Sequence, residues 1–242
     1  MTPQSMMDSF LCVDGRVTNV EGHKTRLKTA VEAHFGWRRA AELDDIYARL
    51  GSGVGPGCRF PRIRVDAERS TWQDRPAPQR QIRQVVAGVA IRDQRQFPGI
   101  KGPDIQWLTD TAHEIGTDYF IVDSEGCVLE TNTSAVLLID DEGEFVTCAG
   151  HNLPSTTVQW LQLHVRVRAV PLSFPDVVAA VRAGRAVSAN ALHGFRMLTF
   201  SPTPPPSMRG SGRPEGGAPG SDTLTRVSRL NELWLQEATP LS

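Results

Sequence analysis

Two hydrophobic periods alternate along the chain. Residues 22–34 place Leu27, Ala30 and Val31 on one side and Lys24 and Lys28 on the other, which predicts an amphipathic helix with a solvated lysine face. Helical spacing returns over 38–50 and stops in Gly51-Ser52-Gly53. Ahead of both helices, Ser9-Phe10-Leu11-Cys12-Val13 and Arg16-Val17-Thr18 flank Asp14-Gly15, so the spacing predicts a hairpin closed by a type I′ turn. Strand patterns follow over 58–65 and 81–91, with a polar, proline-bearing connection at 74–78 between them. Residues 1–100 thus read as a small α+β domain.

The rest, residues 101–242, reads as a larger domain. A helix is expected over 104–115, with Asp104 as its N-cap and Gly116 as its stop. Short strands follow over 119–123, 127–130 and 134–139. The third is apolar at every position from Ala135 to Ile139, so it is expected in the middle of a sheet. A helix is expected to open near Ser155 and another to span 174–182, before strands at 186–192 and 195–200. Residues 201–221 are rich in Pro, Gly and Ser and predict a linker or long surface loop. They lead to a last amphipathic helix over 222–236, with Leu224, Val227, Leu230 and Trp234 on one side.

A length of 242 residues is enough to bury a substantial core. The formal charge of −1 offers no basic excess for a phosphodiester backbone, so no nucleic-acid partner is expected. No run approaches the roughly 18 apolar residues that span a bilayer. With no charged and apolar leader at the start, the reading is a cytoplasmic protein with no membrane partner. Cys12, Cys58, Cys127 and Cys148 form no Cys-x-x-Cys pair, and the six histidines form no ligand motif, so no metal is expected.

Against 23 arginines the chain keeps only three lysines, and Lys101 stands apart from Lys24 and Lys28. It sits between Phe97-Pro98-Gly99-Ile100 and Gly102-Pro103-Asp104, on a connection between two ordered segments. An amine there can be neutralised and condensed with a carbonyl, which a guanidinium cannot do.

Four further segments follow a recognisable order with Lys101. They are His23-x-x-Arg26 on the first helix, Glu130-Thr131-Asn132-Thr133-Ser134 at a strand end, Leu153-Pro154-Ser155-Thr156-Thr157 at a helix start, and Ser188-Ala189-Asn190-Ala191-Leu192-His193-Gly194 at a strand end. In this order they resemble the class IV aminotransferases, the fold-type IV pyridoxal 5'-phosphate (PLP) enzymes, over most of the chain. The resemblance implies an α+β fold in which a small N-terminal α/β domain meets a larger C-terminal α/β-barrel-like domain. It implies PLP as cofactor and an external aldimine with substrate, with Lys101 as the imine-forming and proton-moving amine and Glu130 against the pyridine nitrogen. It also implies that Arg26, Thr133, Thr156, Thr157, Ala189 and Asn190 hold the cofactor and that a homodimer completes the pocket. His23, one turn from Arg26 on the same side, reads as a satisfied structural histidine, with orienting that arginine as its alternative task.

The Lys-Gly-Pro-Asp and Asn-Ala-Leu-His-Gly-Phe-Arg stretches look closest to aminodeoxychorismate-lyase-like members, which implies elimination to pyruvate and 4-aminobenzoate. Transamination between an amino acid and a 2-keto acid shares the same motifs, and a PLP-binding member without turnover is a third reading. For a carboxylate-rich substrate, Arg59, Arg62, Arg64 and Arg196 are the candidate contacts, Arg62 and Arg64 on the same side of one strand. The chain departs from the family pattern at Ser155, Val158-Gln159, Ile105-Gln106 and Ala135, positions that bear on substrate more than on cofactor.

Overall fold

The computed structural model describes residues 2–202 and 221–241. Nearly all of the proline- and glycine-rich stretch expected to form a linker lies outside the described residues. In chain order the elements are β1 (Ser5–Ser9), β2 (Cys12–Val13), β3 (Arg16–Val17), α1 (Val20–Phe35), α2 (Trp37–Gly53), β4 (Cys58–Arg59), β5 (Arg62–Asp66), β6 (Ser70–Gln73) and β7 (Arg83–Arg92). Then come α3 (Ile105–Ile115), β8 (Asp118–Val122), β9 (Val128–Thr131), β10 (Ala135–Ile139), β11 (Phe145–Cys148), α4 (Thr156–Gln162) and β12 (Val167–Val170). The chain ends with α5 (Phe174–Arg182), β13 (Ala186–Asn190), β14 (Gly194–Phe200), α6 (Ser221–Gln236) and β15 (Thr239–Pro240).

The expected turn forms, but its arms are only two residues each, and Ser9 of the expected first arm belongs to β1, paired with Arg62 of β5. Asp14 and Gly15 both take positive φ, 48° and 75°, joining β2 to β3. The single strand expected over 58–65 is instead two. Pro61, which has no N–H to donate, falls between them. β4 pairs with β2 in a four-stranded sheet, whereas β5 lies between β1 and β6 in a three-stranded one. Both α1 and α2 bury Leu27, Val31, Leu43, Ile46 and Leu50 in one core with Met6, Ile63 and Val65 of that sheet. Lys24 and Lys28 do not form a solvated face. Lys28 is paired with Asp44 of α2 at 2.8 Å, and Lys24 lies 5.6 Å from the Tyr47 ring and is paired with Glu21. The two helices pack closely enough to enclose both stems.

Eight strands form the main sheet in the order β12-β11-β10-β13-β14-β7-β8-β9, curled into a half-barrel. β10 is central and buried at all five positions. Ala135, Leu137 and Ile139 join a core with Trp160 and Leu161 of α4 and Val227 and Trp234 of α6. Val136 and Leu138 face the other way, toward Val177, Ala180 and Val181 of α5. The strand's two-sided apolarity therefore reflects helices on both faces of the sheet. β7 lies before Lys101 yet pairs with β14 and β8, and β15, at the other end of the chain, pairs with β3. The polypeptide thus enters the large sheet before residue 100 and returns to a small one at its end.

Candidate active site

Lys101 is positioned by two fixed contacts. Its carbonyl accepts the Met7 N–H at 2.8 Å, which lays the loop along β1. Gly102 then takes φ 125°, and a Cβ there would stand 3.1 Å from the Met7 nitrogen and 3.2 Å from the Ser5 carbonyl oxygen, so only glycine follows the lysine comfortably. Asp104 is the N-cap residue of α3, but its carboxylate does not cap the helix. It accepts the Gln96 and Phe97 N–H groups at 3.1 and 2.9 Å, closing the loop that carries Lys101. Burial lowers the Lys101 amine to about 8; Asp8 opposes this, while Arg26, Arg62 and Arg75 reinforce it.

Arg26 lies on α1 with Asn19 and His23 along the same side, and all three reach the start of α4. Asn19 caps α1 and donates to the Thr156 carbonyl at 2.8 Å, and Arg26 donates to the Pro154 carbonyl at 2.9 Å. His23 Nδ1 is 2.9 Å from Asp8 Oδ2 and Nε2 is 3.0 Å from Thr156 Oγ1. Asp8, fully buried on β1, also accepts from Arg26 at 2.6 Å. Burial pushes the Asp8 carboxyl up, but Arg26, His23 and Lys101 together hold it below the ordinary carboxylate range. Burial pushes the His23 imidazole down in spite of Asp8. The pair is therefore carboxylate and neutral imidazole near pH 7, with Nδ1–H donating to Asp8 and Nε2 accepting the Thr156 hydroxyl proton. His23 binds the helix start as well as Asp8, rather than orienting Arg26 alone.

Glu130, on β9, is 7 % exposed. Its Oε1 accepts from Arg95 at 2.6 Å and from the Leu153 N–H at 3.1 Å, while its Oε2 has no partner among the described residues. Arg95 is also gripped through Nε and a terminal nitrogen by Asp93, at 2.8 and 3.0 Å. Burial raises the Glu130 carboxyl, and Arg95 and the Leu153 amide counter it. Sequence reasoning missed Arg95 and Asp8; the only local sign of Arg95 was the Asp93-Gln94-Arg95 spacing ahead of the lysine.

Arg26, Lys101, Glu130, Thr133, Thr156, Ala189 and Asn190 line one cavity of about 460 Å³, a size typical of small-molecule sites. Thr157, 2 % exposed, is not among the residues that line it. The α3 side chains Ile105, Leu108 and Ala112 form an apolar wall, so Ile105 of the departure pair faces the site. The substrate candidates separate. Arg62 and Arg64 do share a face of β5, opposite Ile63 and Val65, but Arg64 is exposed. Arg59 is committed to Asp74 by two contacts of 2.9 and 2.7 Å. Arg196 is buried and borders an adjoining side cavity that Lys101 also lines. Among the described residues no cluster of potential metal ligands occurs and no helix is long and apolar enough to cross a membrane.

No protein-family model matches the chain, and no curated protein does. Solved structures match it closely in shape. A branched-chain aminotransferase from Thermoproteus uzoniensis, with norvaline, superposes with a TM-score of 0.74 at 12 % identity, over 98 % of this chain and 90 % of that one. A branched-chain amino acid aminotransferase from Thermobaculum terrenum, in PLP form, gives 0.70 at 15 % identity, over 100 % and 90 % of the two chains. A Legionella pneumophila protein provisionally named a 4-amino-4-deoxychorismate lyase gives 0.67 at 13 % identity, over 97 % and 91 %. In fold, the chain is similar to fold-type IV aminotransferases and to 4-amino-4-deoxychorismate-lyase-like proteins.

Proposed function

We propose that the chain is a PLP-dependent enzyme of fold type IV that eliminates pyruvate from an amino-chorismate-type substrate, leaving 4-aminobenzoate. One observation carries the cofactor reading: a desolvated amine, a buried carboxylate with an oxygen to spare, and an arginine beside a helix start share a single cavity. Those groups suit the three demands of PLP, an amine for its aldehyde, an acid for its ring nitrogen and a cradle for its phosphate. When bound, the cofactor supplies an electron sink for the bond broken at the substrate carbon bearing nitrogen.

The chain's residues have separate tasks around it. Lys101 Nζ, lowered to about 8, gives up its own proton more readily than an ordinary lysine and, once neutral, would take a proton from that carbon and return it. Glu130 Oε2 would face the ring nitrogen, and Arg95 and the Leu153 amide favour its ionised form against burial, which raises the carboxyl. Arg26 and the first amides of α4, Thr156 and Thr157, would hold the phosphate; those amides have no acceptor among the described residues. Thr133 and Asn190 both line the cavity, and the Asn190 side chain donates to the Thr133 carbonyl at 3.4 Å and to Ser134 Oγ at 2.9 Å. The open apolar wall of α3, with Ile105 40 % exposed and no residue of the helix buried, supports a homodimer in which a second copy closes the pocket.

Elimination is favoured by the Asn190 to Arg196 stretch and by the cationic side cavity it borders; the aminotransferases among the structural neighbours favour transamination. Protein incubated with PLP is expected to show a Lys101-dependent absorption band near the visible–ultraviolet boundary, and Lys101→Ala to lack it. A band that survives in Lys101→Ala overturns the cofactor assignment. Pyruvate released from aminodeoxychorismate with no second keto acid supports elimination. Product formation that requires a 2-keto acid acceptor assigns transamination, and a spectrum that no amine perturbs assigns a binding protein without turnover.

A further inference from the structure

The side cavity, about 280 Å³, shares Lys101, Asp118, Thr133, Asn190 and Ala191 with the main one and adds Ser9, Phe60, Leu192, His193 and Arg196. Arg196 is its unusual member. Only 6 % exposed, it gives one terminal nitrogen to the neutral Ser134 hydroxyl at 2.9 Å, leaves Nε without an acceptor and makes no ion pair among the described residues. Arg95 shows the ordinary solution for a guanidinium at similar depth, with contacts to two carboxylates. Burial lowers Arg196 to about 10, with Asp118 pulling the other way. A buried cation with no carboxylate in direct contact is costly, and an anion arriving in the cavity would supply that contact.

The rest of the lining narrows what that anion can be. The Asp118 carboxylate borders the cavity, but its oxygens already accept from Gln84, Asn132 and Thr133 at 2.6, 3.0 and 3.0 Å, so it is turned toward those donors. His193 Nδ1 accepts the Gln81 N–H at 3.1 Å, and burial together with Arg196 and Arg80 lowers the imidazole to about 4. His193 is therefore neutral, with its proton on Nε2, a donor and not a second charge. Phe60 and Leu192 provide apolar walls. One buried guanidinium, one neutral N–H donor and a flat apolar boundary suit a single carboxylate carried on a ring, better than a fully hydrated phosphate.

We propose that this side cavity is a carboxylate subsite for the far end of the substrate, with Arg196 as its charge partner and His193 as its neutral donor. Naming the occupant as substrate rests on the PLP reading above; the existence of the subsite does not. Benzoate and its neutral near-isostere benzamide are the probes, titrated calorimetrically into PLP-treated protein and into the same protein without PLP. Benzoate is expected to bind wild type at least tenfold more tightly than benzamide, and Arg196→Gln to lose that preference while the Lys101-dependent band persists. Arg196→Lys keeps the charge and is expected to retain part of the preference, which separates loss of the subsite from loss of folding. Equal binding of the two probes by wild type, or an undiminished preference in Arg196→Gln, overturns the subsite. Absence of the band with the preference intact instead overturns the cofactor reading and leaves the subsite standing.

Discussion

Lys101 and Glu130 are both held in states that folding alone would not choose. The Lys101 amine is lowered by burial from 10.5 to about 8, so between those values the folded chain has released a proton that the unfolded chain keeps. Stability therefore rises as pH climbs from about 8 to 10.5, and below pH 8 the protonated amine is a standing penalty. Lys101→Met is expected to melt a few degrees higher than wild type at pH 7 and to lack that rise, as thermal melts at pH 7 and 9.5 will show. Glu130→Gln is expected to keep the Lys101-dependent band while turnover falls by about 10²–10³, since one fixed charge opposite the reacting system is removed. Arg95→Leu leaves Glu130 buried without its charge partner. It is expected to cost about 3–5 kcal/mol in urea unfolding and to convert the Glu130 carboxylate to the neutral acid, visible in the infrared carboxyl region.

Helix α1 holds the cavity together at the level of elements. Its Asn19, His23 and Arg26 fasten the start of α4, and Asp8 of β1 is the shared acceptor beneath them. Asp8 has a depressed folded pKa in spite of burial, so its contribution to stability is full above the ordinary carboxylate value near 3.8 and is lost as pH falls below it. Asp8→Asn is expected to be less stable than wild type at pH 7 but to lose less on acidification from pH 5 to 3, followed by circular dichroism. The loop after Lys101 depends on Gly102 in a different way. Gly102→Ala combines a positive-φ penalty with a close approach to β1, of the order of 1–3 kcal/mol, and is expected to weaken PLP binding by displacing the amine.

For the whole molecule, the unfinished surface is the α3 side of the cavity. A second copy covering Ile105, Leu108 and Ala112 would exclude water from Lys101, which strengthens every charge interaction inside. Sedimentation is expected to give twice the chain's mass, and Ile105→Glu to shift it toward the monomer. A monomeric wild type with full turnover would show that the site works open on that side. The same mixed architecture sets strands from distant parts of the chain side by side: β7 pairs with β14, and β15 pairs with β3.

Local chemistry sufficed for elements whose signals are contained within a few residues. Asp14-Gly15 specified its turn, Gly116 its helix stop, the unbroken apolar run of β10 its central place, and the rarity of lysine its own candidate amine. β6 and β12 are short, and their burial alternates or stays partial, so pairing with neighbours distant in sequence decides them. The same holds for the site's partners. Arg95 finds Glu130 across 35 positions and Thr156 finds His23 across 133, while Arg59, an equal candidate by composition, is captured by Asp74. Residue type determines which groups can ionise, donate or condense; only the packed chain determines which charges are neutralised by neighbours and which are left facing a cavity.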